Sequence, residues 1–348
     1  VVFYWKLEYF FDWKNAMRIP TYLSPSQIAL WTSDREEYYL QHLSEVRASR
    51  LPQAIYMSVG SSFDAYVKSA MHENLFGKGS DPKFEFDTLF TTQVEEHNRD
   101  WARENGKYVF ECYKKCGAYD ELLELLQQSK HAPRFEFTVT GTINGVPLLG
   151  KPDLRFIHQS GAHVILDWKV SGYCSKSPTS PCKNYRLVRD CWDNSVAKAT
   201  RGSGQSHKNY EPIVWKGMEI HNGWLEDANE DWSNQLAIYS WMLGEPVGNQ
   251  DVVVCIDQIV AKPIGLERPL LRVANHRARI SAIHQQNLLH KLNECWAAIT
   301  AGHIFSDMTL EESQNRCAVL ERQALMSYST DATQQYLSEL GRSRGYKG

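Results

Sequence analysis

The chain is 348 residues long, which by length alone suggests about two domains. Its 43% hydrophobic and 23% charged residues exclude a disordered chain, and no apolar run approaches the roughly 18 residues of a membrane span. The 38 Lys and Arg stand against 41 Asp and Glu, a net charge of -3 that excludes a protein basic throughout. Contact with nucleic acid therefore has to come from a local basic patch or a metal.

The opening residues, Val1 to Lys6, lack the layout of a signal peptide. In a chain of this length without a signal the eight cysteines read as reduced thiols of a cytoplasmic protein, and none forms the paired CxxC of a zinc site. Leu23-Ser24-Pro25-Ser26 is a helix start, with Ser24 as N-cap and Pro25 at the first position. That helix is expected to run through Ile28, Leu30 and Trp31 towards Tyr38–Leu43. A second is expected after Gly60-Ser61-Ser62, with Phe63, Tyr66, Val67, Ala70 and Met71 on its apolar stripe. Residues 84–130 read as mostly helical.

From Arg134 the period becomes two. Phe135, Phe137, Val139 and Ile143 share one face, and Glu136, Thr138, Thr140 and Thr142 the other. Asn144-Gly145 is a strong hairpin signal, and a second strand is expected from Val146 to about Ile157. Gln159-Ser160-Gly161 reads as a three-residue hairpin loop, and Val164–Val170 completes a meander. Residues 171–231 are rich in Ser, Pro, Gly and Cys, with poor periodicity. Between Lys176 and Lys216 eight Lys and Arg stand against three acids, which makes Lys198, Arg201 and Lys208 candidates for phosphate contact. A helix is expected at Trp232–Leu243, a strand at Val252–Ile259 and a long helix over about 277–301. The pattern is that of one α/β domain with a basic insertion.

The hairpin registers place chemistry. A two-residue turn at 144–145 sets Glu136 opposite Asp153, and a three-residue loop at 159–161 sets Asp153 opposite Asp167. Lys169, two residues beyond Asp167, points to the same face. Like charges directly opposite one another destabilise a sheet, so such a row calls for a cation. Oxygen ligands without His or thiolate suit Mg²⁺ or Mn²⁺. The plain alternative is a solvated sheet face, with Pro152 able to shift the first register by a bulge.

Gly150-Lys151-Pro152-Asp153, followed after a thirteen-residue gap by Asp167-Trp168-Lys169, resembles the PD-(D/E)XK nuclease signature. Three further segments are similar to the RecB-type branch of that superfamily: Leu23–Ser26, Gly60–Asp64, and Gln235-Leu236-Ala237-Ile238-Tyr239 as its QxxxY helix. Trp296–Phe305 resembles the closing helix and Gly-x-Phe exit. The resemblance spans roughly residues 22–306. It implies a three-layer αβα restriction-endonuclease-like core around a central mixed sheet, with an insertion after the third core strand. In that frame residues 1–306 form the nuclease-like domain, with core helices at 24–130, meander at 134–170, insertion at 171–231 and QxxxY helix at 232–243. Residues 307–348 form a C-terminal helical extension.

The implied activity is Mg²⁺-dependent hydrolysis of DNA phosphodiester bonds by an exonuclease of DNA processing, repair or recombination, in a phage or a bacterium. A helicase or recombination protein is the implied partner class. Asp153, Asp167 and the Trp168 carbonyl would hold the ion, and Lys169 would position water or stabilise the phosphate. Glu136 is a candidate third ligand or general base. Asp64 stands where the family commonly has His and remains a candidate ligand. Gln235 and Tyr239, four apart on one helix face, would contact the phosphate or orient Lys169. No iron–sulfur cluster is expected, because Ser33 or Asp34 takes the first-helix Cys position and no Cys triplet follows Tyr239. Two alternatives stay open: a catalytically inactive DNA-binding module on the same fold, and a hydrolase of small phosphate esters.

Overall fold

The computed structural model describes residues 18–44, 52–173, 187–192, 195–200, 211–261 and 271–302, and position 315. The C-terminal extension apart from position 315, the end of the Gly-x-Phe exit, Arg201 and Lys208 lie outside the described residues. The first helix, α1 (Pro25–Ser33), opens on a capping box in which the Ser24 and Gln27 side chains each serve the other's backbone N–H. It stops earlier than its apolar period suggests. Asp34 turns extended and accepts from Glu37 N at 2.9 Å, which starts the short α2 (Arg35–Tyr38), and a π-helical turn at Tyr39–Leu43 follows. The second helix, α3 (Ile55–Phe76), begins five residues before Gly60, so the Gly-Ser-Ser triplet lies inside it. Burial of Ser58, Val59 and Ser62 overrides the weak helix propensity of that triplet. Three more helices follow, α4 (Phe86–Gln93), α5 (Arg99–Lys115) and α6 (Ala118–Gln127), as the 84–130 pattern suggests.

The strands come in three groups. β1 (Arg134–Phe135), β4 (Leu154–Ile157) and β5 (His163–Ser171) join β10 (Val252–Ala261), β11 (Leu271–Ala278), β6 (Leu187–Trp192) and β7 (Ser195–Thr200) in one sheet. Its order is β1-β4-β5-β10-β11-β6-β7, with β5 and β10 parallel and the other pairs antiparallel. β2 (Val139–Ile143) with β3 (Val146–Gly150), and β8 (Pro212–Trp215) with β9 (Met218–His221), form separate two-stranded sheets.

Both expected hairpin registers are present: Ile143 pairs with Val146, Phe135 with Leu154, and Leu154 with Leu166. The meander itself is broken. Glu136 adopts a left-handed φ of 39°, Pro152 offers no N–H, and the chain leaves the main sheet between these points as the β2–β3 hairpin. Two other expectations need correction. Part of the basic segment 171–231, where poor periodicity suggests no strands, is strand: β6 and β7 extend the central sheet through β11. The last helix, α8 (Ala282–Ala301), starts later than 277 because residues 271–278 are drawn into the sheet as β11.

Strand alternation feeds two apolar cores on opposite faces of the sheet. Leu166 and Trp168 of β5 pack with α3, α5 and α6, whereas Ile165 packs with α1, α8 and α7 (Glu230–Met242). The molecule is thus a mixed α/β fold with helices on both faces of a mixed sheet. None of the described helices is long and apolar enough to cross a membrane.

Candidate active site

The functional side chains meet at one end of the β4–β5 pair. Asp153 immediately precedes β4 and Glu136 immediately follows β1; Glu136 N donates to Asp153 O at 2.9 Å, so the two remain neighbours beyond the ladder. Asp167, Trp168 and Lys169 lie in the second half of β5, and Asp153 Oδ2 accepts from Trp168 N at 3.2 Å. α3 brings Asp64 to the same place. From the opposite face of the sheet, α7 brings Gln235 and Tyr239.

The Asp167–Lys169 pair is held as a unit. Lys169 Nζ lies 2.5 Å from Asp167 Oδ2 and donates to Gln235 Oε1 at 3.0 Å. Gln235 Nε2 in turn donates to Asp167 Oδ1 and to the Tyr239 hydroxyl, both at 3.0 Å. The four-residue spacing puts Gln235 and Tyr239 on one helix face, and that face meets the site.

Three further participants are not among the candidate site residues: Lys68 and Gln93 lie outside the motifs, and Lys151 lies within the Gly150–Asp153 segment. Lys68, only 2% exposed, donates from Nζ to Asp64 Oδ2 at 2.6 Å, Asp153 Oδ1 at 2.8 Å and Glu136 Oε2 at 3.3 Å. Gln93, the last residue of α4, donates to Asp64 Oδ2 and Glu136 Oε2, both at 3.0 Å. Lys151 pairs with Glu136 from the other side. Glu136, read as a strand residue that could simply be exposed, is therefore a buried and multiply paired carboxylate. The row of acids does not stand uncompensated: Lys68 supplies a charge that the strand registers alone leave missing.

The electrostatics follow from burial and these pairs. Burial by itself would lower the Lys68 pKa, but Asp153, Asp64 and Glu136 outweigh it and raise it above the usual lysine value. Burial raises the carboxyl pKa of Glu136 and Asp153, and here the lysines win, Lys68 foremost, so both end below the ordinary range. Asp167 goes the other way, pushed up to about 7 by burial and then by the Asp153 carboxylate, against the pull of Lys169. Asp64 is also pushed up to about 7, by burial first, against the pull of Lys68. Asp153 thus keeps its charge, and its carboxylate helps hold the Asp167 carboxyl up.

By donor chemistry, Asp153, Asp167 and the Trp168 carbonyl suit a hard divalent cation. Among the described residues, however, no three His, Cys, Asp or Glu side chains are grouped so as to hold a metal ion. At Asp64, Glu136 and Asp153 the physical reason is plain, because an ammonium already stands among them. A cavity of about 410 Å³ lies on one side of the cluster, lined by Asp64, Gln93, Asp153 and Lys169 together with Tyr56 and Met57. A second, of about 420 Å³, lies on the other side against Lys151, Gln235 and Tyr239.

The basic candidates are placed elsewhere. Lys198 belongs to β7, four strands from β5 and so about 19 Å away at ordinary strand spacing. Its side chain, like Arg201 and Lys208, lies outside the described residues. Compared with family models and with curated proteins, the chain matches none.

Proposed function

We propose that this chain is a metal-dependent deoxyribonuclease of the PD-(D/E)XK type, with a restriction-endonuclease-like core and a motif order that resembles that of the RecB-type exonucleases. The observation that carries the reading is the convergence of Asp153, just before β4, with Asp167 and Lys169 of the adjacent β5, and Gln235 bonded to both members of the Asp167–Lys169 pair. Asp153, Asp167 and the Trp168 carbonyl are the ligands for Mg²⁺ or Mn²⁺. When bound, the ion supplies charge neutralisation at the phosphoryl oxygens and a lowered pKa for the attacking water.

The chain's own residues supply the rest. Lys169 places fixed positive charge where negative charge builds on the phosphate. Gln235 aims that ammonium by accepting from it, and Tyr239 fixes the Gln235 amide. The cavities on either side of the cluster give a strand room to approach and leave. A segment rich in Lys and Arg after β5, with Lys198, Arg201 and Lys208, favours a polymeric substrate over a small ester.

A second reading has a specific observation behind it. Lys68 fills the centre of three carboxylates, as a cation would, and this favours a nuclease fold retired to DNA binding.

Incubation with linear and closed-circular DNA, each with Mg²⁺ and with EDTA, separates the two. Mg²⁺-dependent loss of linear DNA alone is the expected result for an exonuclease. Lys169→Ala and Asp167→Asn should each lower the cleavage rate by about 10²–10³ while the far-UV circular dichroism stays unchanged. Binding without cleavage in the wild type, or near-normal activity in Lys169→Ala, would sink the catalytic assignment.

A further inference from the structure

Lys68 has three N–H donors, and each finds a different carboxylate: Asp64 at 2.6 Å, Asp153 at 2.8 Å and Glu136 at 3.3 Å. The side chain is 2% exposed, so this is a buried arrangement and not a surface pairing. Its acceptors come from three separate parts of the chain: α3 itself, the residue after β1 and the residue before β4. Gln93 adds neutral donors to Asp64 and Glu136 at 3.0 Å, and Lys151 adds a further charge on Glu136. The carboxylates around Lys68 are therefore satisfied by the chain itself. Asp167 is different. It touches no part of this group of donors and is bonded to Lys169 and Gln235 instead.

We infer that Lys68 is a resident cation, filling the place among Asp64, Glu136 and Asp153 that a second divalent ion would take, so that the centre accepts one divalent ion and not two. The inference rests on the metal-dependent reading above. A divalent ion placed among the same three carboxylates would stand in contact with the ammonium, and like charges at that distance in a buried site repel strongly. Asp64 and Glu136 then act as positioning residues: they hold Lys68, and Lys68 holds Asp153 with its second oxygen turned towards Trp168 N. An ion-free protein keeps this part of the centre assembled.

Titration calorimetry with Mn²⁺ alone, without DNA, tests the inference on the full chain. The wild type should bind one ion per chain. Lys68→Gln removes the charge and shortens the side chain by one atom, leaving Asp64, Glu136 and Asp153 with only Gln93, Lys151 and the Trp168 N–H as donors. Its ion-free melting temperature should fall by roughly 5–10 °C, and Mn²⁺ should restore it by binding at two sites. Folding of this variant only in the presence of Mn²⁺ would support the inference equally.

Two ions on the wild type would overturn it, whatever the variant does. So would a Lys68→Gln variant with the wild-type stoichiometry and the wild-type Mn²⁺ shift. A wild type that cleaves DNA with two ions bound defeats this inference alone. A wild type that binds no Mn²⁺ and cleaves nothing defeats the metal-dependent reading, and this inference with it.

Discussion

Gln235 uses both ends of its amide on the reactive pair, accepting from Lys169 and donating to Asp167. Gln235→Glu exchanges the donor for a second carboxylate oxygen against Asp167, and above neutral pH both groups carry charge. Urea unfolding at pH 8 should show this variant less stable than Gln235→Ala by about 1–3 kcal/mol, the usual cost of leaving a buried polar group mispaired. The sign with pH follows from Asp167, whose carboxyl is pushed up to about 7 and is mostly protonated at pH 5. It can then donate to the new carboxylate, so the difference between the variants should vanish or reverse at pH 5. An unchanged difference across that range would mean that Asp167 is charged throughout. At this scale the sequence is legible where strand period and turn chemistry act together. Asn144-Gly145 and Gln159-Ser160-Gly161 fix which residues face one another, and so bring Glu136, Asp153, Asp167 and Lys169 together on paper. Lys68 escapes such reading because an Asp64–Lys68 spacing of four looks like an ordinary surface pair. Gln93 escapes it entirely, since nothing local ties a helix end to a carboxylate 43 residues away.

The helix that carries Asp64 and Lys68 owes its position to a close crossing. α3 meets α5 where Gly106 faces Ser62, and a Cβ at Gly106 would stand 2.2 Å from Ser62 Oγ and 2.5 Å from Ser62 Cβ. Gly106→Ala therefore forces the two helices apart. Thermal and chemical unfolding should show a loss of about 1–3 kcal/mol, typical of overpacking in a filled core. A neutral effect would mean that the helices already have slack at this point. Gly150 makes the same kind of contact on the other face, where a Cβ would lie 2.6 Å from Tyr239 Cε1. α3 and α7 are thus each seated by a glycine. Element boundaries are less legible than element existence. The apolar period of residues 28–43 runs on smoothly, yet Asp34 caps a new helix in the middle of it. In the 271–278 segment, pairing with β10 decides the conformation, and that partner lies in another part of the sequence.

Behind the site, a buried polar network links β10 and β11 to α5. Asp257 accepts from Arg277 at 2.6 Å, from Asn275 at 2.8 Å and from the Tyr113 hydroxyl at 2.5 Å, with Asp257 and Arg277 almost wholly buried. Arg277→Leu would leave the Asp257 carboxylate in the interior without its charge partner. Breaking one half of such a pair costs about 3–5 kcal/mol, which urea unfolding at pH 7 would register as a lower midpoint. A loss under about 1 kcal/mol would show that Tyr113 and Asn275 suffice for Asp257. The reach of this network is shared by the site itself. Lys68 and Asp153 are 85 residues apart in sequence, and Gln235 and Asp167 are 68 apart. Contacts of that range form only after long loops have closed, and they slow folding. On the ribosome, Lys68 is made long before its carboxylates at 136 and 153, and Gln235 follows later still. Assembly of the centre accordingly waits until synthesis has passed Tyr239 and the long loops between its parts have closed.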